Sequence, residues 1–132
     1  GLRAAKKDLV LILNSDVSLN EDYFKHKLNY FDDPTVFGVM GALYDEQTGQ
    51  LLKTDLKPEM NFWGIVSSKP LRGYDYSYSV PMIFISGANT LVRNSMLKEL
   101  DYFCELFSPY YGEDIDLGLR AARRGWKIFY EP

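Results

Sequence analysis

The sequence predicts an α/β fold on three observations. A short uninterrupted apolar run, LVLIL at residues 9–13, stops abruptly on the polar NSD, as a strand buried on both faces does where it leaves the sheet. Helical periodicity then alternates with further strand-like runs along the chain, the order of a sheet flanked by helices. Finally, 132 residues with 46% hydrophobic content are enough for one real core. No repeat, low-complexity tract or linker divides the chain, so it reads as a single unit.

After the first strand, Asn20 offers an N-cap, with Glu21 and Asp22 in the first turn. Phe24, Leu28 and Phe31 recur at helical spacing and predict one buried face, which Asp32-Asp33-Pro34 terminates. His26 falls off that face and reads as a solvated surface residue. Val36 to Tyr44 predicts a glycine-containing strand, with DEQTGQ as the turn after it. Residues 52–73, punctuated by Lys and Pro without a clear period, read as a long loop of the kind that often carries function. Tyr74, Tyr76 and Tyr78 alternate with polar residues, more in the manner of ordinary strand packing than of a sugar platform, and PMIFI predicts a further strand. SGAN breaks it, and Thr90 to Leu100 reads as a helix. A last helix is expected from about Glu113 to Arg124, stopped at Gly125, before WKIFYEP returns as a strand.

The bulk numbers exclude some classes. A net charge of −3 and a pI of about 5.1 leave no basic footprint for nucleic acid. The single cysteine, Cys104, rules out an internal disulfide framework and fits a reducing compartment. Apolar runs such as LVLIL and MIFI are far too short to span a bilayer, and no signal peptide is visible. Because the chain starts on Gly1 and ends on Pro132 as a strand finishes, it reads as a piece of a longer polypeptide.

Three clusters can carry chemistry. Asp16, just past LVLIL, lies where ligands bind in open α/β sheets and can hold a divalent cation; Asn14 and Asp16 can equally form a turn through their own side chains. Gly87 can admit a ligand close to the backbone or supply a positive φ, and Asn89 can cap the following helix. Glu113, Asp114 and Asp116 crowd into residues 113–116 after Tyr110-Tyr111-Gly112. A helix dipole favours acids there, and Asp116 can pair with Arg120 at i, i+4. A carboxylate approached through tyrosines and a glycine can also take a proton from a hydroxyl. Locally both readings stay open.

Taken in order, GLRAAKKDLVLILNSDV, VFGVMGALYDEQTG, SGANTLVRNSMLKEL and YYGEDIDLGLRAARRGWKIFYEP resemble the family 2 glycosyltransferases, whose fold is the GT-A mixed sheet flanked by helices. The resemblance spans nearly the whole chain. It implies that Asp16 is the metal-binding acid, meeting Mg2+ or Mn2+ on the diphosphate of a nucleotide-sugar donor. It implies that Asp114 is the general base toward an acceptor hydroxyl, with Glu113 helping to position that acceptor, a saccharide or lipid-linked group. Gly87, Ala88 and Asn89 would line the donor–acceptor pocket. Asn14 stands where the family's first motif Asp is common, and there it can bond a ribose or a metal-bound water. Tyr102-Phe103-Cys104-Glu105 stands where the family often has Gly-Phe-Asp-Glu, so no role passes to Cys104.

The same resemblance implies inversion at the anomeric carbon, a role in bacterial polysaccharide or lipopolysaccharide synthesis, and a place in the cytoplasm or at the inner membrane face. The strand–helix units that grip the nucleotide base are expected to precede Gly1. The fragment is therefore expected to be inactive alone and prone to self-association through its open face. The competing reading is a non-catalytic carbohydrate-binding or scaffold module with the same fold. A receiver-like signalling domain fits less well, since it wants a paired acidic cluster near the first strand and a later strand-end Lys.

Overall fold

The chain builds one mixed sheet with helices on one face and an irregular segment on the other. The computed structural model describes residues 1–52, 57–60, 66–69, 77–109 and 112–132. Its strands are β1 (Leu9–Leu13), β2 (Val36–Gly41), β3 (Lys57–Met60), β4 (Val66–Lys69), β5 (Val80–Met82), β6 (Asn89–Arg93) and β7 (Lys127–Glu131). Its helices are α1 (Asn94–Glu99) and α2 (Glu113–Arg123). Five strands pair in the order β1-β6-β2-β7-β5, while β3 and β4 form a separate antiparallel pair. β6 runs antiparallel to β1 and β2, and β2 runs parallel to β7. Hence β1, β2 and β7 share a direction, and Leu13, Gly41 and Glu131 end them at one side of the sheet.

The pleat sorts the strand residues between two faces. On the first, Ile12, Phe37, Val92 and Ile128 meet Met96, Leu97 and Leu100 from α1 and its end, and Leu117 and Ala121 from α2. Phe37 also stacks on Trp126, with ring centroids 6.1 Å apart. Toward the carboxyl ends of β2 and β7, Met40, Val80, Phe84 and Tyr130 form a second cluster, against which Ile115 of α2 packs. Asn94 anchors the start of α1: its Nδ2 donates to the carbonyls of Ala5 and Lys7, and its backbone N–H to Asp8.

Several expectations need correction. LVLIL is a strand, but among the described residues it lies at the sheet's rim, so only Ile12 is buried and Leu13 is 40% exposed. Thr90 to Leu100 is not one helix. NTLVR is β6, paired on both sides, and only Asn94–Glu99 is helical. The apolar residues Leu91 and Val92 are both buried because β6 is an inner strand covered on both faces, a signal shared by buried strands and helices. Asn89 is accordingly a strand residue, not a helix cap.

The segment after Asn20 is not an α-helix either. It makes successive turns and then a 3-10 stretch, Lys27–Asp32, with no side-chain cap. Phe24 and Leu28, expected inside, are 40% and 48% exposed, and Tyr23 and Lys27 are buried instead. The sheet's second face selects them. The Tyr23 hydroxyl donates to the Asn89 carbonyl at 2.9 Å, and Arg93 reaches across to the carbonyls of Phe31, Asp33 and Val36. Tertiary hydrogen bonds thus override helical periodicity. His26 is exposed, as its position implied.

Within the expected 52–73 loop, 57–60 pairs with 66–69 as an antiparallel ladder; the rest of that reading, apart from Leu52, lies outside the described residues, as do Tyr74, Tyr76, Tyr110 and Tyr111. PMIFI leaves the ladder after Met82. There α2 presses directly on the backbone: a Cβ added at Gly118 would lie 2.4 Å from the Phe84 Cα. α2 itself and β7 form where the sequence places them. Among the described residues no helix is long and apolar enough to cross a membrane.

Candidate active site

The site is assembled from loops at the carboxyl ends of β1, β2 and β7, the position at which open α/β sheets bind ligands. A turn follows β1, closed by the Val17 N–H on the Asn14 carbonyl at 3.2 Å, and the Asn14 N–H ties it to the Ala88 carbonyl at 3.0 Å. The register that places Leu13 opposite Asn89 brings the NSD and SGAN motifs together. Asn14, Asp16, Ala88 and Asn89 line one cavity of about 800 Å³. Backbone bonds alone hold the turn, and among the described residues the side chains of Asn14 and Asp16 have no hydrogen-bond or ion-pair partner. The purely structural reading of these side chains therefore loses its basis.

Asp16 is exposed, and the described residues include no group of three or more His, Cys, Asp or Glu that could hold a metal. Asp22, Asp45 and Glu46 line the cavity as well, and a free carboxylate such as that of Asp16 suits Mg2+ or Mn2+, which take one or two protein carboxylates and complete the shell with phosphate oxygens and water. The donor set thus fits a cation held jointly with a substrate rather than a protein cage.

Asn89 is 2% exposed, and its Nδ2 donates to the Ala42 carbonyl at 3.1 Å. Its Oδ1 is buried without a partner. Gly87 has no positive φ, and nothing lies within 4 Å of the place a Cβ would take. The turn there does not need a glycine; open space beside Ala88 is what it provides.

Glu113 and Asp114 are not among the residues lining that cavity. They open α2, behind Gly112 at φ 121°, and Ile115 pins this first turn over the ends of β2 and β7. Asp114 Oδ1 accepts from the Ile115 N–H at 2.8 Å, while Glu113 Oε2 is buried with no partner. Buried polar atoms without partners are uncommon in folded proteins and call for an explanation. Asp116 does form the expected pair with Arg120, at 2.7 Å, and Arg120 also donates to the carbonyls of Leu100 and Tyr102. Its role is structural. The carboxyl end of the sheet is thus flanked by Asp16 and Asn89 on one side and by the acids of α2 on the other.

Sequence reasoning missed several cavity residues, among them Tyr23, Lys27, Tyr44 and Asp45. Burial pushes the Tyr23 hydroxyl up to about 12. Asp45 is held below the usual carboxylate range, first by the Thr48 hydroxyl and then by the Thr48 N–H, at 2.8 and 2.7 Å. No local signal marks Tyr23 and Lys27, since the more apolar Phe24 and Leu28 outrank them in any helical reading and the segment is not an α-helix.

The family described as glycosyltransferase like family 2 matches residues 1–132. Two curated relatives, the pre-mycofactocin glycosyltransferases of two Mycobacterium tuberculosis strains, are each 28% identical over 135 residues. That match takes in 100% of this chain but 27% of theirs. Among solved structures, a crystal structure of GalNAc-T7 with UDP, GalNAc and Mn2+ superposes with a TM-score of 0.63 at 12% identity, covering 98% of this chain and 27% of that one. At that identity the likeness speaks for the fold, a GT-A glycosyltransferase sheet.

Proposed function

The chain belongs to glycosyltransferase like family 2, and on that premise we propose that it carries the metal and base elements of an inverting sugar transferase. The observation that supports this most directly is the free Asp16 side chain beside Asn89 on one cavity, with the Glu113–Asp114 turn across the same end of the sheet. Asp114 takes the proton of an acceptor hydroxyl; that oxygen attacks the anomeric carbon of the donor as the bond to the diphosphate breaks on the opposite side. Direct displacement inverts the configuration. Glu113 positions the acceptor, and Asn14, Gly87, Ala88 and Asn89 shape the pocket. Asp16 would hold a divalent cation, which when bound would supply positive charge to the departing diphosphate.

The donor is a nucleotide-sugar and the acceptor a saccharide or lipid-linked hydroxyl, in bacterial polysaccharide or lipopolysaccharide assembly at the inner membrane face. The chain spans 27% of the length of the curated relatives it matches. We read it as the part of a catalytic domain that follows the nucleotide-gripping units, and as silent on its own.

The test is a panel of nucleotide-sugars given to the full-length protein, with and without manganese, read by nucleoside diphosphate release. Turnover on one donor is expected to need the metal and to fall about 100- to 10,000-fold in Asp114→Asn, the usual worth of a general base. Undiminished turnover in Asp114→Asn would remove the assignment. Metal-independent glycan binding without turnover, equal in both proteins, would favour the binding-module reading.

A further inference from the structure

Lys27 is the largely buried lysine that the proposed chemistry leaves unused. Its side chain is 5% exposed, unusual for a lysine without a partner. The stem lies against Gly41 at the end of β2, where an added Cβ would sit 3.1 Å from Lys27 Cε and 3.1 Å from Asn89 Nδ2. The ammonium stands 4.6 Å from the Tyr23 ring centroid. Among the described residues it has no hydrogen bond or ion pair. Glu131 acts on it only through space, its carboxylate being engaged by the Tyr30 hydroxyl at 2.5 Å. Desolvation, the larger influence, therefore lowers the Lys27 pKa despite that acid.

Packing alone does not call for this charge, because a methionine of similar length would fill the space without burying an ion. The ring face of Tyr23 compensates part of it but accepts no conventional N–H bond. Lys27 lines the same cavity as Asp16 and Asn89. A neutral hydroxyl entering there would leave the charge uncompensated; an oxyanion would neutralise it and accept its N–H groups.

We infer that the Lys27 ammonium binds an oxyanion of the substrate held in this cavity, a phosphate or a carboxylate. This rests on the transferase reading above and adds to it a residue that selects charged substrates. Two sources share the chemistry: the diphosphate of the donor, or an acidic group on a sugar.

The experiment uses the full-length protein with two probes, manganese pyrophosphate and glucuronate. Titration calorimetry is run on wild type, Lys27→Met and Lys27→Arg, with thermal melts alongside. One probe is expected to bind, and Lys27→Met to weaken it about ten- to a hundredfold, the worth of a hydrogen bond to a charged group. Lys27→Arg retains most of that affinity. Lys27→Met is expected to melt no lower than wild type, since it removes a buried charge. A loss confined to pyrophosphate assigns the donor; a loss confined to glucuronate assigns an acidic sugar. Unchanged affinity in folded Lys27→Met, or no binding of either probe by wild type, overturns the inference. Nucleotide-sugar turnover that survives Lys27→Met and is lost in Asp16→Asn leaves the transferase standing and removes only this inference. Absence of turnover across the donor panel removes the reading beneath it.

Discussion

Asp33 shows what a single carboxylate does away from the site. It follows the 3-10 stretch, accepts from the Thr35 N–H and hydroxyl at 2.8 and 2.6 Å, and pairs with Lys127 at 2.8 Å. Those contacts, the Lys127 bond foremost, hold it well below the usual carboxylate range. Because the folded pKa is depressed, its contribution is full above the unfolded value of about 4 and is lost as pH falls through the folded one. Asp33→Asn is therefore expected to lower the melting temperature at pH 7 and to flatten its fall below about pH 5. Equal slopes for wild type and variant in melts from pH 7 to 2 would contradict this. None of this was legible beforehand. In sequence Asp33 reads as a helix stop, and Lys127 lies far along the chain. The reverse holds for Asp116 and Arg120, whose pairing needs only the spacing of one helical turn.

At the scale of elements, α2 was readable throughout, whereas for α1 the sequence placed the end but not the start. Glu113 to Arg123 carries acids in its first turn, bases in its last and a clear apolar stripe, all of them local signals. β6 was misread as helix because Leu91 and Val92 are covered on both faces, which erases the period of two. What the sequence of α2 does not reveal is why Gly118 interrupts a good helix. The fold supplies the reason, since the helix there touches the Phe84 backbone rather than side chains, with a would-be Cβ also 2.7 Å from the Ile83 carbonyl oxygen. Backbone cannot give way as a flexible side chain can. Gly118→Ala should therefore destabilise, by about 1–3 kcal/mol as overpacked cores do, despite the better helix propensity of alanine. Chemical denaturation decides it; an unchanged or raised midpoint would mean that α2 is free to move outward. Since Ile115 lies one turn from Gly118, such a shift would also displace the Glu113–Asp114 turn.

For the whole molecule, the position of β1 has a consequence. In the described residues it is the rim of the sheet, with Leu13 40% exposed and one side of its backbone unpaired. Such an edge is a template for another strand. The isolated 132-residue chain is thus predicted to self-associate, with a weight-average mass that rises with concentration in sedimentation. A constant monomer mass would reject this. Sequence alone determined the α/β class, the strand after which Asp16 emerges, and the helix that begins on Glu113 and Asp114. Those features rest on contiguous residues: an apolar run, a turn, a helix start. Tertiary structure decided how these parts meet. Only the antiparallel pairing of β1 with β6 brings Asn14 and Asp16 to Ala88 and Asn89, and only the second face of the sheet selects Tyr23 and Lys27 over Phe24 and Leu28. Local pattern ranks residues by hydrophobicity, whereas the sheet ranks them by which side chain can reach a carbonyl, a bare glycine or a cavity wall.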